Sequence, residues 1–458
     1  MRFEPVGRSR APAALLSLLL LGCGAGAGTP LSETLRLGQG ECPVVAMQPD
    51  GVAWVSWIGD AETPGIRVLR IAPDGAVSGE PLRIDPPRSG FRGCPEIAVN
   101  AAGSAAVMWW QRETERVPLP GLNRPDSIRQ PKIYVQRLNP DVTPDGELLR
   151  VVDRVNAGST TYDPEPGDLA VAPDGRLSVT WQETVTFTSP VPLPTVPVPT
   201  AVRVRTLSGY HQIFGADGQA LTEPLRLGTA VISATAVTVP IPLRFDGLFA
   251  ERVEVMPDGH YVLLFEGEAD SLWFQRFDAQ GQPLESARQR VNARPETQEL
   301  AEKTLAAGPD GDFDVAYLLR DPDVLAPPGD ALLVQAYGAD GAPRGRVYRS
   351  DTPQPGEIRT FLNLLRFEGG RRALVWRSGR GSGLATLDPR LFAQFLDADG
   401  TPLTEVFPVS EGVLASVGLS REFRLSAATD RNGNLVAVWN EGDAIHARVF
   451  AGIPAEPD

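Results

Sequence analysis

The chain has 458 residues, with 43 Lys+Arg against 57 Asp+Glu, so its formal net charge is −14. Apolar residues at 42% and charged residues at 22% exclude wholesale disorder, and 46 Gly with 43 Pro point to many turns between short elements. An acidic chain without a basic cluster also excludes nucleic acid as a partner, because such binding needs Lys and Arg to displace phosphate counterions.

The N-terminus carries an address. Arg2, Arg8 and Arg10 precede the apolar run Ala13–Leu21, which is too short to span a bilayer as a mature helix and reads as the core of a signal peptide over residues 1–22. The run ends Leu20-Leu21-Gly22-Cys23, which resembles the bacterial lipobox. That resemblance implies cleavage after Gly22, acylation of Cys23 and a lipidated linker over 23–27. The partner would then be a membrane, held through two or three acyl chains. The implied location is the bacterial cell envelope, at the outer membrane, since Gly24 and no Asp follows Cys23. An ordinary secretory signal with an incidental Cys23 is the other reading. Cys42 and Cys94 remain, and an even pair in an exported chain reads as a disulfide.

From Cys42 onward the sequence repeats. Ten-residue segments ending on Gly51, Gly103, Gly175, Gly259, Gly311, Gly370 and Gly433 are self-similar, beginning with CPVVAMQPDG, CPEIAVNAAG and PGDLAVAPDG. Six residues after each glycine stands an aromatic: Trp57, Trp109, Trp181, Phe265, Tyr317, Trp376 and Trp439. Each segment reads as a strand entering a Pro-Asp-Gly type turn, where glycine supplies the positive φ, with a period-2 strand leaving it. A second hairpin follows in six copies, turning at Gly75, Gly146, Gly218, Gly281, Gly341 and Gly400. Four strands per repeat of about 64 residues is the pattern of a propeller blade. The seventh copy stops after its third strand, near Phe450, while residues 28–38 match residues 218–228 and supply the missing one.

The expected fold is therefore all-β, a single seven-bladed β-propeller over 28–451 whose last blade is completed by strand 28–38. Blades begin near residues 42, 94, 166, 250, 302, 361 and 424, and 452–458 form a tail. These motifs are similar to the PDG-type propellers of bacterial secreted proteins and lipoproteins, TolB-like or WD-like in the broad sense. A monomeric ring is expected. The GH…WD pair of WD-repeats and the Asp-box spacing of sialidases are both missing from the sequence.

Long segments at 111–131, 183–200 and 229–247 read as loops on one face, and long loops commonly carry function. The candidate binding-face residues are Trp110, Pro118, Pro120, Pro194, Pro197, Pro240 and Pro242. The recurrent aromatics belong to the core, whereas Trp110, beside Trp109, points to the other side of its strand. Cys42 and Cys94 open the first strands of adjacent repeats, a spacing that suits a structural bridge. Two Cys do not fill a zinc site. His211, His260 and His446 fall in different repeats, and neither a nucleophile elbow nor a nucleotide loop is present. Asp310–Asp314 and Asp430–Asn434 are the segments to weigh for calcium, but they lack a full set of oxygen ligands, and turn chemistry explains their acids. No cofactor is implied. The leading expectation is a non-catalytic envelope lipoprotein, binding a protein, peptide or glycan on the long-loop face. The alternatives are a carbohydrate-active hydrolase or lyase working at the channel mouth, and a surface protein without a discrete ligand.

Overall fold

The computed structural model describes residues 26–85, 91–117, 126–154, 160–191, 200–236, 239–240, 249–256, 258–267, 271–291, 299–308, 310–320, 331–350, 357–382, 385–414 and 423–453. All strand pairs in it are antiparallel, as short connections between successive strands require. The anchor glycines make the turns that the sequence predicts: Gly51 sits at φ 89° and donates its N–H to the Gln48 carbonyl at 3.0 Å. Asp50 accepts from the Val52 N–H at 3.1 Å, so the Asp-Gly pair is used for turn chemistry.

The first strand of each repeat lies innermost. These strands are Leu35–Met47, Glu96–Val99, Thr160–Val171, Phe249–Val255, Glu299–Ala307, Glu357–Arg366 and Leu425–Thr429. Each neighbours the next in chain order, and Leu425–Thr429 lies against Leu35–Met47. The aromatic of each second strand packs between repeats: Trp57, Trp109, Trp181 and Phe265 are buried, as are Tyr317, Trp376 and Trp439. Arginines tie one repeat to the turns of the next. Arg137 donates to the carbonyls of Gly175 at 2.7 Å and Gly215 at 2.5 Å, and Arg176 and Arg276 reach the Ala279 and Ala339 carbonyls in the same way.

The hydrogen-bonded architecture corrects the expectation of a seven-bladed propeller with separate blades. Among the described residues there are six open sheets, and none closes on itself. The largest has seven strands, because Leu35–Met47 runs unbroken from Ala444–Phe450 on one side to Ala53–Gly59 on the other. The sequence reading divided this strand at Gly38. The chain does not break there: Gly38 pairs with Ile445, and Gly40 N–H donates to the Asp443 carbonyl at 2.7 Å. The expected monomeric ring is therefore not built by hydrogen bonding: successive inner strands lie side by side, but no sheet closes through them.

One further expectation is corrected. The segments 111–131, 183–200 and 229–247 are in large part strand. Ala105–Val117 pairs with Asp126–Leu138 as far as Val117 opposite Asp126, and Leu177–Val191 pairs with Thr200–Phe214 as far as Val191 opposite Thr200. Thr235 pairs with Arg203, which extends the same sheet. The alternation Thr184-Val185-Thr186-Phe187-Thr188 is a good strand former, and the prolines beyond it drew attention away from that pattern. The lipobox-like segment and Cys23 lie outside the described residues, and among the described residues no helix is long and apolar enough to cross a membrane.

Candidate functional site

Inner strands enclose a cavity of about 720 Å³. Its wall is highly charged, with Glu41, Glu96, Glu165 and Glu302 set among Arg92, Arg252, Lys303 and Arg424. β-Bulges interrupt three of the strands that line it, and bulges re-aim side chains. Pairing slips between Glu41 and Val44, between Ala250 and Arg252, and between Leu300 and Glu302. Cys42 sits in the first of these, at φ 56°, and is disulfide-bonded to Cys94 with the two Cα atoms 5.2 Å apart. The bridge forms part of the cavity wall and joins the first two repeats.

A register explains which side chains enter. Counting seven residues back from each anchor glycine gives Val44, Glu96, Asp168, Arg252, Thr304, Asn363 and Ser426. Three of them clasp the backbone of the next inner strand. Asp168 Oδ2 accepts from the Val253 N–H at 3.1 Å, Asn363 Oδ1 from Ala427 at 3.2 Å, and Ser426 Oγ from Val45 at 3.1 Å. Glu96 has no such duty: the Leu169 N–H that it would meet is taken by Asp168 Oδ1 at 2.9 Å. Glu96 is thus a carboxyl on the cavity wall that no described residue claims by hydrogen bond.

Its surroundings decide its protonation. Burial pushes Glu96 up to about 7, and the nearby Asp168 charge adds to this, while Arg252 and Arg424 work against it. Burial likewise raises Asp168, against Arg252 and the N–H groups of Val253 and Leu169. Glu302 is raised by burial, partly offset by the Phe361 N–H. The other cations are held in place: Arg92 pairs with buried Asp85 at 2.6 Å, and Lys303 pairs with Glu266.

A narrower cavity of about 300 Å³ continues the same strands. Its wall includes the residues five before each anchor: Ala46, Ala98, Ala170, Ala306 and Ala428, with Leu365 and Glu254 in the same register. Glu254 is raised to about 8 by burial, with Asp168 adding to the effect. A carboxyl in a collar of alanines is held neutral near pH 7.

Of the residues singled out from sequence, Trp110, Cys42 and Cys94 line the large cavity. Pro240 pairs with Thr235 at a sheet edge. Cys23, Pro118, Pro120, Pro194, Pro197 and Pro242 lie outside the described residues. The acids weighed for calcium are directed elsewhere: Asp312 pairs with Arg366 at 2.6 Å, Asp314 with Arg372 at 2.6 Å, and Asp430 accepts from Asn434 N–H at 2.8 Å. His211 is buried against Ser178 Oγ at 2.8 Å, and burial lowers it to about 3, so it is a neutral core group. Sequence reasoning missed Glu96, Asp168 and Arg252. The signal was the register, which places Glu, Asp and Arg in successive repeats beside an apolar core position.

No family model and no curated protein matches the chain. Solved structures do resemble it distantly. A protein of unknown function from Dyadobacter fermentans is 12% identical, with 91% of this chain and 99% of that one covered and a TM-score of 0.43. A Hadza microbial sialidase is 12% identical over 92% of this chain and 68% of its own, at 0.38. The β-propeller domain of a Pyrococcus furiosus protease is 8% identical over 81% and 99%, at 0.34. All three are broad, low-identity likenesses. The expectation of a non-catalytic scaffold, with no reactive group, is corrected at this site. The cavity is open and carries in Glu96 a carboxyl that burial raises to about 7, a reactive group the residue-type reading did not single out.

Proposed function

We propose that the protein is a hydrolase acting on carbohydrate in the large cavity, with Glu96 as general acid. The observation that carries this reading is the state of Glu96: on the wall, unclaimed by any described hydrogen-bond donor and raised to about 7. A carboxyl with a pKa near the working pH can hold a proton and still release it, which is what general acid catalysis needs.

The chemistry follows the two-carboxylate scheme of glycosidic cleavage. Glu96 gives its proton to the glycosidic oxygen as the C–O bond breaks. Water adds to the anomeric carbon, and a second carboxylate of the same wall, Glu41, Glu165 or Glu302, takes the water proton. Arg252 and Arg424 flank Glu96 and oppose its protonation, so they keep its pKa from rising further. The cavity is of a size that ordinary ligand sites have.

The test is reducing-end release from a panel of plant and microbial polysaccharides, wild type against Glu96→Gln. At least one substrate should be cut by the wild type and at least 100-fold more slowly by the variant. Equal rates in both would remove Glu96 from the chemistry.

A further inference from the structure

We infer that Trp110 forms a stacking subsite for a neutral sugar residue beside Glu96, so that the substrate of the proposed hydrolase is an uncharged glycan. The inference rests on the functional reading above for its setting, and on separate observations for its content. Seven residues after the anchor glycine, the second strands of the first three repeats place Ile58, Trp110 and Gln182 on the cavity wall. In the other four repeats this register holds Glu266, Leu318, Arg377 and Asn440, so Trp110 is its one aromatic.

The indole is held for this role. Gly93 donates its N–H to the Trp110 carbonyl at 3.0 Å, and a Cβ built on Gly93 would lie 1.6 Å from indole Nε1. Only glycine lets the ring lie there. Gly93 is followed by Cys94, whose bridge to Cys42 ties it to the neighbouring repeat. Arg112 lies over the ring at 5.4 Å from its centroid and is itself paired with Asp163 at 2.8 Å. A fixed, half-buried indole suits the C–H face of a sugar ring, while the Gln182 amide and the Glu165 carboxylate on the same wall suit its hydroxyls.

The charge balance selects a neutral sugar. Of the four cations on the wall, Arg92 and Lys303 are already paired with Asp85 and Glu266. With Glu96 protonated, Arg252 and Arg424 still share the wall with three other carboxylates, Glu41, Glu165 and Glu302. No surplus of positive charge is left to recruit a uronate or sialate.

The test is calorimetric binding to the Glu96→Gln protein, which keeps the cavity but not the acid. The probes are tetrasaccharides of arabinose, xylose, glucose and mannose, with tetragalacturonate as the acidic counterpart. Neutral probes should bind at least tenfold tighter than the uronate. Adding Trp110→Ala should weaken the best neutral probe at least tenfold, while Trp110→Phe should keep affinity within about threefold. Preference for the uronate, equal affinity after Trp110→Ala, or no binding by any probe would overturn the subsite. The two readings separate cleanly. Affinity that depends on Trp110 without hydrolysis by the wild type sinks the enzyme and spares the subsite. Hydrolysis that depends on Glu96 with affinity indifferent to Trp110 does the reverse.

Discussion

Glu96 and Asp168 occupy the same register in neighbouring repeats, yet their side chains have different work. Asp168 accepts two backbone N–H groups, from Leu169 and Val253, and is a structural clasp. Glu96 is left with burial and like charge, which raise it to about 7 from an ordinary value of 4.5. Glu254 is raised to about 8 in the same field. A folded state that keeps protons the unfolded chain has already released loses stability as pH rises, here across the window from about 4.5 to about 8. The protein should therefore resist urea better at pH 5 than at pH 8. Glu96→Gln should shrink that difference by about 2–3 kcal/mol, the part of the full linkage of its shift that falls between pH 5 and pH 8. Identical pH dependence in variant and wild type would show that Glu96 is not the group held neutral. None of this was legible from residue types alone, because a carboxylate's partners come from other repeats.

At the scale of elements, the repeat was readable because turn chemistry and packing are local. Asp50-Gly51 makes its turn from its own side chain and φ, and Trp57 and Trp109 are buried where their spacing puts them. The extended hairpins were harder to see. Val185 and Phe187 alternate with threonines as a strand should, but the ladder reaches Val191 only because Thr200–Phe214 returns along it. Between repeats, the inner strands are joined by side-chain clasps, and these make a prediction. Asn363→Ala removes the acceptor of the Ala427 N–H and the donor to the Phe361 carbonyl, the latter bond being 3.0 Å long. It should cost about 1–3 kcal/mol in denaturant unfolding, the range for a buried N–H left without its partner. A loss below a few tenths would mean that water or backbone shifts replace the clasp.

For the whole molecule, the decisive element is the strand Leu35–Met47, which joins the two ends of the chain in one seven-stranded sheet. The matching of residues 28–38 to residues 218–228 put this segment beside the final repeat, but did not show that it continues into the first. Pro30 bridges to Phe450, and Leu31 N–H donates to the Val449 carbonyl at 2.8 Å. Deleting residues 28–38 should leave Ala444–Phe450 with an open edge, lower the unfolding midpoint by several degrees and promote association, which light scattering would detect. An unchanged midpoint and a monodisperse product would show that the terminal strand is dispensable.

The central claim concerns chemistry in the cavity that the inner strands enclose. Its most direct test is the rate of reducing-end release across pH 5 to 9, measured for the wild type and for Glu96→Gln on the same polysaccharides. The wild type should cut a neutral glycan and lose rate as pH rises through about 7, where Glu96 gives up its proton. The variant should be slower by at least 100-fold and lack that limb. A wild type that cuts no glycan at any pH, or a variant that matches it throughout, would contradict the account.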